Sequence, residues 1–114
     1  MIKMTDKIPF ANWQKLDLRV AKILDVKPHP NADKLYLLEV DLGTEKRTLV
    51  AGLKAHYHPA VLKNKLCVVF TNLEPAEIRG IKSEGMILAA GNKDKSKVFI
   101  LTPEQEIEPG SKIS

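Results

Sequence analysis

Leu35-Tyr36-Leu37-Leu38-Glu39-Val40-Asp41-Leu42-Gly43-Thr44-Glu45-Lys46-Arg47-Thr48-Leu49-Val50-Ala51 is the stretch that decides the fold. From Leu35 to Asp41, Tyr36, Leu38 and Val40 recur at every second position, which places them on one face of a strand. Leu42-Gly43-Thr44-Glu45 reads as a tight hairpin turn, and Lys46 to Ala51 as the returning strand. An isolated hairpin is not stable in water, so its apolar face must be covered by further strands.

Working outward, such strands are found on both sides. Upstream, Leu16 to Val26 alternates Leu18, Val20, Leu24 and Val26 on one face, with Lys22 interrupting the pattern where a bulge would bend the strand. Pro28-His29-Pro30-Asn31 ends it, because neither proline can donate to a ladder and each restricts the residue before it. Downstream, Pro59-Ala60-Val61-Leu62 reads as one helical turn. Leu66 to Phe70 and Met86 to Ala90 are continuous apolar runs, as strands buried on both sides would be, and Val98 to Leu101 is a last short strand. Five or six short strands, with a short helix between strands three and four, predict an all-β, five-stranded Greek-key barrel of the OB type over residues 16–114. Residues 1–15 form an N-terminal segment in which Pro9 opens a short helix. Its apolar side chains admit two readings: they plug one end of the barrel, or Ile8, Phe10 and Trp13 form a dimer contact.

With 114 residues, 44% of them hydrophobic, the chain supplies one modest core and no second domain. It has no apolar run of about 18 residues, and its start, MIKMTDKIPF, lacks the apolar stretch of a secretory signal, so a cytoplasmic protein without a membrane partner is expected. The single Cys67, inside LCVVF, reads as a buried thiol. The formal charge is +4; setting aside Glu104, Glu106 and Glu108 near the end, 18 basic and 11 acidic residues leave +7, which suits a polyanionic partner.

Catalytic patterns are missing. Neither G-x-x-x-x-G-K-[ST] nor G-x-G-x-x-G occurs, and in Gly80-Ile81-Lys82-Ser83-Glu84-Gly85 the first glycine lies one residue too far from Ser83 for a hydrolase elbow. No catalytic residue is assigned, and no enzyme is expected. His56 and His58, even with His29 or Cys67, lack the close carboxylate or second cysteine of a metal site, so neither a metal nor another cofactor is expected. Of the six aromatics, Tyr36 belongs to the core, Phe70 and Phe99 lie in apolar strands, Phe10 and Trp13 precede the barrel, and only Tyr57 reads as exposed. Base stacking is thus poorly supplied, which favours contact with phosphates and RNA shape. Thr71 to Met86, TNLEPAEIRGIKSEGM, gathers Asn72, Arg79, Lys82 and Ser83 between two apolar runs, either as a plain connector or as a binding loop.

These residues carry a resemblance. Asp17-Leu18-Arg19-Val20, His29-Pro30-Asn31-Ala32-Asp33-Lys34-Leu35, Arg47-Thr48, Gly52-Leu53, Asn72-Leu73-Glu74-Pro75, Arg79-Gly80, Ser83-Glu84-Gly85-Met86 and Pro109-Gly110 occur in the order found in the tRNA-binding domain family. That family includes the C-terminal domain of methionyl-tRNA synthetase and free-standing tRNA-binding, chaperone-like proteins. The resemblance implies an OB-fold that grips the outer corner of folded tRNA by shape and backbone. By motif it assigns Lys34, Asn72, Arg79, Ser83 and Met86 to RNA binding, and Lys82 and Arg47 join them on charge. The cations would neutralise phosphates, Asn72 and Ser83 would hydrogen-bond backbone or 2′-OH groups, and Met86 would pack on a sugar or base. It further implies homodimerisation through the N-terminal segment and, as a partner, the catalytic domain of a synthetase. Glu74 stands where relatives often carry lysine, which implies a weaker grip. The alternative function is single-stranded nucleic-acid binding by an OB protein.

Overall fold

In the computed structural model, which describes residues 4–114, the chain forms a small antiparallel barrel. Its strands are β1 (Leu18–Pro28), β2 (Tyr36–Asp41), β3 (Lys46–Ala51), β4 (Leu66–Phe70), β5 (Ala76–Ile78), β6 (Ile81–Ser83), β7 (Met86–Ile87), β8 (Ala89–Gly91) and β9 (Val98–Ile100); its helices are α1 (Phe10–Trp13) and α2 (Pro59–Leu62). One sheet runs in the order β3-β2-β1-β4-β7, while β5 with β6 and β8 with β9 form two-stranded ribbons.

The hairpin read first is present as expected. Tyr36 pairs with Ala51 and Asp41 with Lys46, and Tyr36, Leu38 and Val40 point into the core with Leu49 and Ala51. The barrel closes where the end of β6 meets β3. There the Glu84 N–H donates to the Thr48 carbonyl (2.9 Å) and the Val50 N–H donates to the Ser83 hydroxyl oxygen (2.9 Å). Helix α2 lies between strands three and four, as the OB pattern requires. His58 caps it by accepting the Ala60 N–H at Nδ1, Pro59 supplies a fixed φ at its first position, and Leu62 is driven fully into the core.

Strand β1 departs from the simple alternation. Ile23, not Leu24, is fully buried, and the register slips between Ile23 and Asp25 rather than at Lys22. A bulge changes which side of the strand faces inward, and here the Asp25 carboxylate accepts the following Val26 N–H. Leu18 and Val20 are buried on the face opposite Ala21, outside the interior cluster. Residues 110–113 run along the same stretch: Gly110 N–H donates to Val20 O (2.7 Å), Val20 N–H to Ser111 O (2.8 Å) and Ile113 N–H to Leu18 O (2.8 Å). This segment also interlocks with the β2–β3 turn. Gly43 and Gly110 both have positive φ, and a Cβ on Gly110 would stand 2.5 Å from the Leu42 carbonyl oxygen.

Three other expectations need correcting. Met86 to Ala90 is not one strand buried on both sides: it breaks into β7 and the start of β8, with Ile87 buried and Met86, Ala89 and Ala90 exposed. Phe99 is 58% exposed, because Val98 and Ile100 take the inward face of the β8–β9 ribbon and the alternation turns Phe99 outward. Tyr57 packs against the core, its hydroxyl accepting the Ile100 N–H (3.1 Å). The short helix α1 does form, but none of its residues is buried, and Ile8, Phe10 and Trp13 are 63%, 69% and 37% exposed. It therefore does not plug the barrel. Cys67 is buried, and burial pushes its thiol up to about 12, which keeps it a neutral hydrophobe.

Candidate nucleic-acid interface

The residues between β4 and β7 are not irregular throughout. They fold into the β5–β6 hairpin, with Ile78 opposite Ile81, and the two residues between them, Arg79 and Gly80, have φ of 53° and 89°. Both central residues at positive φ make this a type I′ turn, whose twist matches the strands it joins. Glycine adopts that conformation freely; arginine does so at a cost, and the hairpin thereby holds the exposed Arg79 side chain at its tip.

Next to this tip lies the β1–β2 loop carrying Lys34. A backbone bond from His29 N–H to Leu35 O (3.0 Å) closes the loop, and the His29 ring then reaches across to the Ile78 carbonyl (Nε2 to O, 3.0 Å). Asn31 Nδ2 donates to the Arg79 carbonyl (3.4 Å). The structure thus joins the loops that bear Lys34 and Arg79. Lys82 extends from β6, across from Glu77, so its field is partly offset. Among the described residues, ion pairs hold Arg19 to Asp17, Lys27 to Asp25 and Arg47 to Glu45, and leave Lys34, Arg79 and Lys82 without a carboxylate partner.

The remaining assigned residues gather at the root of the hairpin and face inward to differing degrees. Arg47 is 21% exposed; it binds Glu45 with two nitrogens and donates to the carbonyls of Thr71 and Glu84. The Arg47 guanidinium holds the Glu45 carboxyl below the usual carboxylate range, first through its hydrogen bonds and then through its charge. Ser83 is buried, and besides accepting from Val50 its hydroxyl donates to Gly85 O (2.9 Å). Asn72 is exposed, but its amide bonds Lys15 O and the Asp17 N–H. Met86, 45% exposed beside Phe70, and Leu73, 40% exposed beside Asn72, offer open apolar surface here. Sequence reading missed the clasp made by His29 and Asn31; two prolines around a histidine signalled a loop end, but nothing local pointed to a partner 49 residues away. Among the described residues no three metal-binding side chains cluster, and no helix is long and apolar enough to cross a membrane.

A five-stranded antiparallel barrel with a short helix between its third and fourth strands defines the OB class, and two clasped loops on it carry Lys34 and Arg79. The chain belongs to the tRNA-binding domain family: the family profile tRNA_bind, "Putative tRNA binding domain", matches residues 18–112. Among curated proteins it is 51% identical over 111 residues to a methionine–tRNA ligase of Pyrococcus horikoshii, covering 97% of this chain and 15% of that protein. It is 49% identical over 107 residues to that of Thermotoga maritima, covering 94% and 17%. The chain therefore spans about one sixth or less of these relatives. Among solved structures it resembles a MetRS-related protein from Pyrococcus horikoshii (TM-score 0.90, 26% identity, 96% of this chain and 100% of that one). It also resembles the chaperone CsaA of Bacillus anthracis (TM-score 0.86, 27% identity, 96% and 100%).

Proposed function

We propose that this domain is a non-catalytic module that holds the outer corner of folded tRNA, reading shape and phosphates more than bases. The observation that carries the reading is the clasped pair of loops, where Lys34 and Arg79 project without internal counterions beside Lys82. Such cations gain by releasing counterions from a phosphate backbone, and a rigid two-loop surface favours a partner of fixed curvature. Asn72, Ser83 and Arg47 contribute by holding this surface in shape, since their polar groups are engaged within the protein, and Met86 adds a small apolar contact.

Two contexts suit the module: free-standing, as the likeness to CsaA suggests, or attached to the catalytic part of a methionyl-tRNA synthetase, as the ligase relatives suggest. Either belongs in the cytoplasm, where tRNA is charged. The exposed Ile8, Phe10 and Trp13 suit a homodimer contact. Gel retardation with folded tRNA, an unstructured RNA and single-stranded DNA tests the reading. Preference for folded tRNA is expected; equal or tighter binding of the single strands would overturn it.

A further inference from the structure

The His29 ring is fixed in one form by what surrounds it. The Asn31 backbone N–H donates to Nδ1 (3.0 Å), so Nδ1 carries no hydrogen, and Nε2 faces a carbonyl, so Nε2 carries it. His29 is 4% exposed. Within its own loop the ring bonds the Asn31 N–H at Nδ1, while the ends of the loop are joined by the backbone bond from His29 to Leu35, which leaves Nε2 for a partner outside it. Its side chain leaves that loop for the hairpin tip. Among the described residues, the hydrogen bonds that tie the tip to the rest of the protein are those from His29 to Ile78 and from Asn31 to Arg79.

Resting on the tRNA-binding reading, we propose that His29, seconded by Asn31, is the positioning residue that sets the spacing between the Lys34 loop and the Arg79 hairpin, and through that spacing selects folded over flexible RNA. A folded RNA presents its phosphates at set distances, so two loops free to drift would match it only a fraction of the time and bind it more weakly by that fraction. A flexible strand adjusts to whatever spacing it meets and is little affected by drift. The clasp therefore acts on the ratio of the two affinities rather than on either alone. Neither His29 nor Asn31 needs to touch RNA for this.

The test measures retardation of folded tRNA and of a single-stranded homopolymer RNA of equal length by the parent, His29→Asn, His29→Gln and Asn31→Ala. Glutamine places an amide nitrogen near the position of Nε2 and keeps a donor for Ile78, whereas asparagine reaches only Asn31. His29→Asn should weaken tRNA binding about fivefold, as loss of one hydrogen bond would, and homopolymer binding less than about twofold. His29→Gln should stay near the parent on both RNAs. Equal losses on both RNAs, or no loss in a His29→Asn protein that melts like the parent, would overturn the proposal. Should His29→Asn fail to fold, Asn31→Ala at its exposed position decides: a tRNA-selective loss of about twofold supports the clasp, and none overturns it. Lys34→Ala and Arg79→Ala separate the two readings. If neither weakens tRNA binding, the surface itself is misplaced and the clasp falls with it; if both do while the His29 and Asn31 variants bind normally, only the clasp falls.

Discussion

Asn72 grips Asp17: its side-chain oxygen accepts the Asp17 N–H at 2.8 Å while its amide nitrogen donates to the Lys15 carbonyl at 2.7 Å. Thr71 adds two bonds to the Asp17 carbonyl, from its N–H (2.8 Å) and its hydroxyl (2.7 Å). The segment leading out of α1 is therefore pinned to the end of β4, some 55 residues along the chain. Replacing Asn72 by alanine should cost about 1–2 kcal/mol of folding stability in urea denaturation, because two backbone groups lose a partner. The salt slope of tRNA binding should stay as in the parent, since no cation is removed.

Ser83→Ala strands the Val50 N–H at the barrel seam, where the hydroxyl is its acceptor. The expected loss is on the order of 1–3 kcal/mol, with hydrogen exchange of the Val50 amide faster than its β3 neighbours can account for. Unchanged exchange would mean the seam is held by other contacts.

Charge removal should sort the cations. Lys34→Ala and Arg79→Ala should each flatten log affinity against log salt by about one unit or less, Lys82→Ala by less because Glu77 sits opposite. Arg47→Ala should instead lower the melting temperature and barely move the slope, as its guanidinium serves Thr71, Glu84 and Glu45.

Arg79→Asn should raise stability while weakening tRNA binding. Asparagine suits the first central position of a type I′ turn, and relieving the left-handed arginine is worth about 1 kcal/mol. A thermal melt paired with retardation reads both quantities, and a variant that is less stable than the parent would count against strain at this turn.

The exposed apolar face of α1 predicts association. Light scattering should give about twice 12.7 kDa, and Phe10→Ala with Trp13→Ala should shift the mass toward the monomer. A parent that scatters as a monomer at micromolar concentration would rule this out.

Where the physics is local, the sequence was readable. Tyr36, Leu38 and Val40 alternate within one strand, and Pro59 announces a helix that needs only its own turn. Bulges and distant partners were hidden. Ile23 and Leu24 exchange roles because the register slips between Ile23 and Asp25, which no composition signal marks. Ser83 and Asn72 look like free polar groups beside glycines or a turn, yet their partners lie 33 and 55 residues away. Phe99 and Tyr57 trade expectations for a similar reason: a short apolar run in a two-stranded ribbon covers only one face, while a loop tyrosine finds the core through Ile100.

The strap formed by residues 110–113 also sets an order of events during synthesis. Arg19 bonds the Gly110 carbonyl across 91 residues, and the backbone of Leu18 and Val20 awaits the same segment. A ribosome releases β1 early and its strap late. Over that interval the start of the first strand keeps an open edge, the kind of template on which nascent chains pair wrongly. The edge of the first strand is covered only after residues 110–113 have emerged, so a stalled or shortened chain lacking them leaves its defect in that strand, about 90 residues from the missing ones.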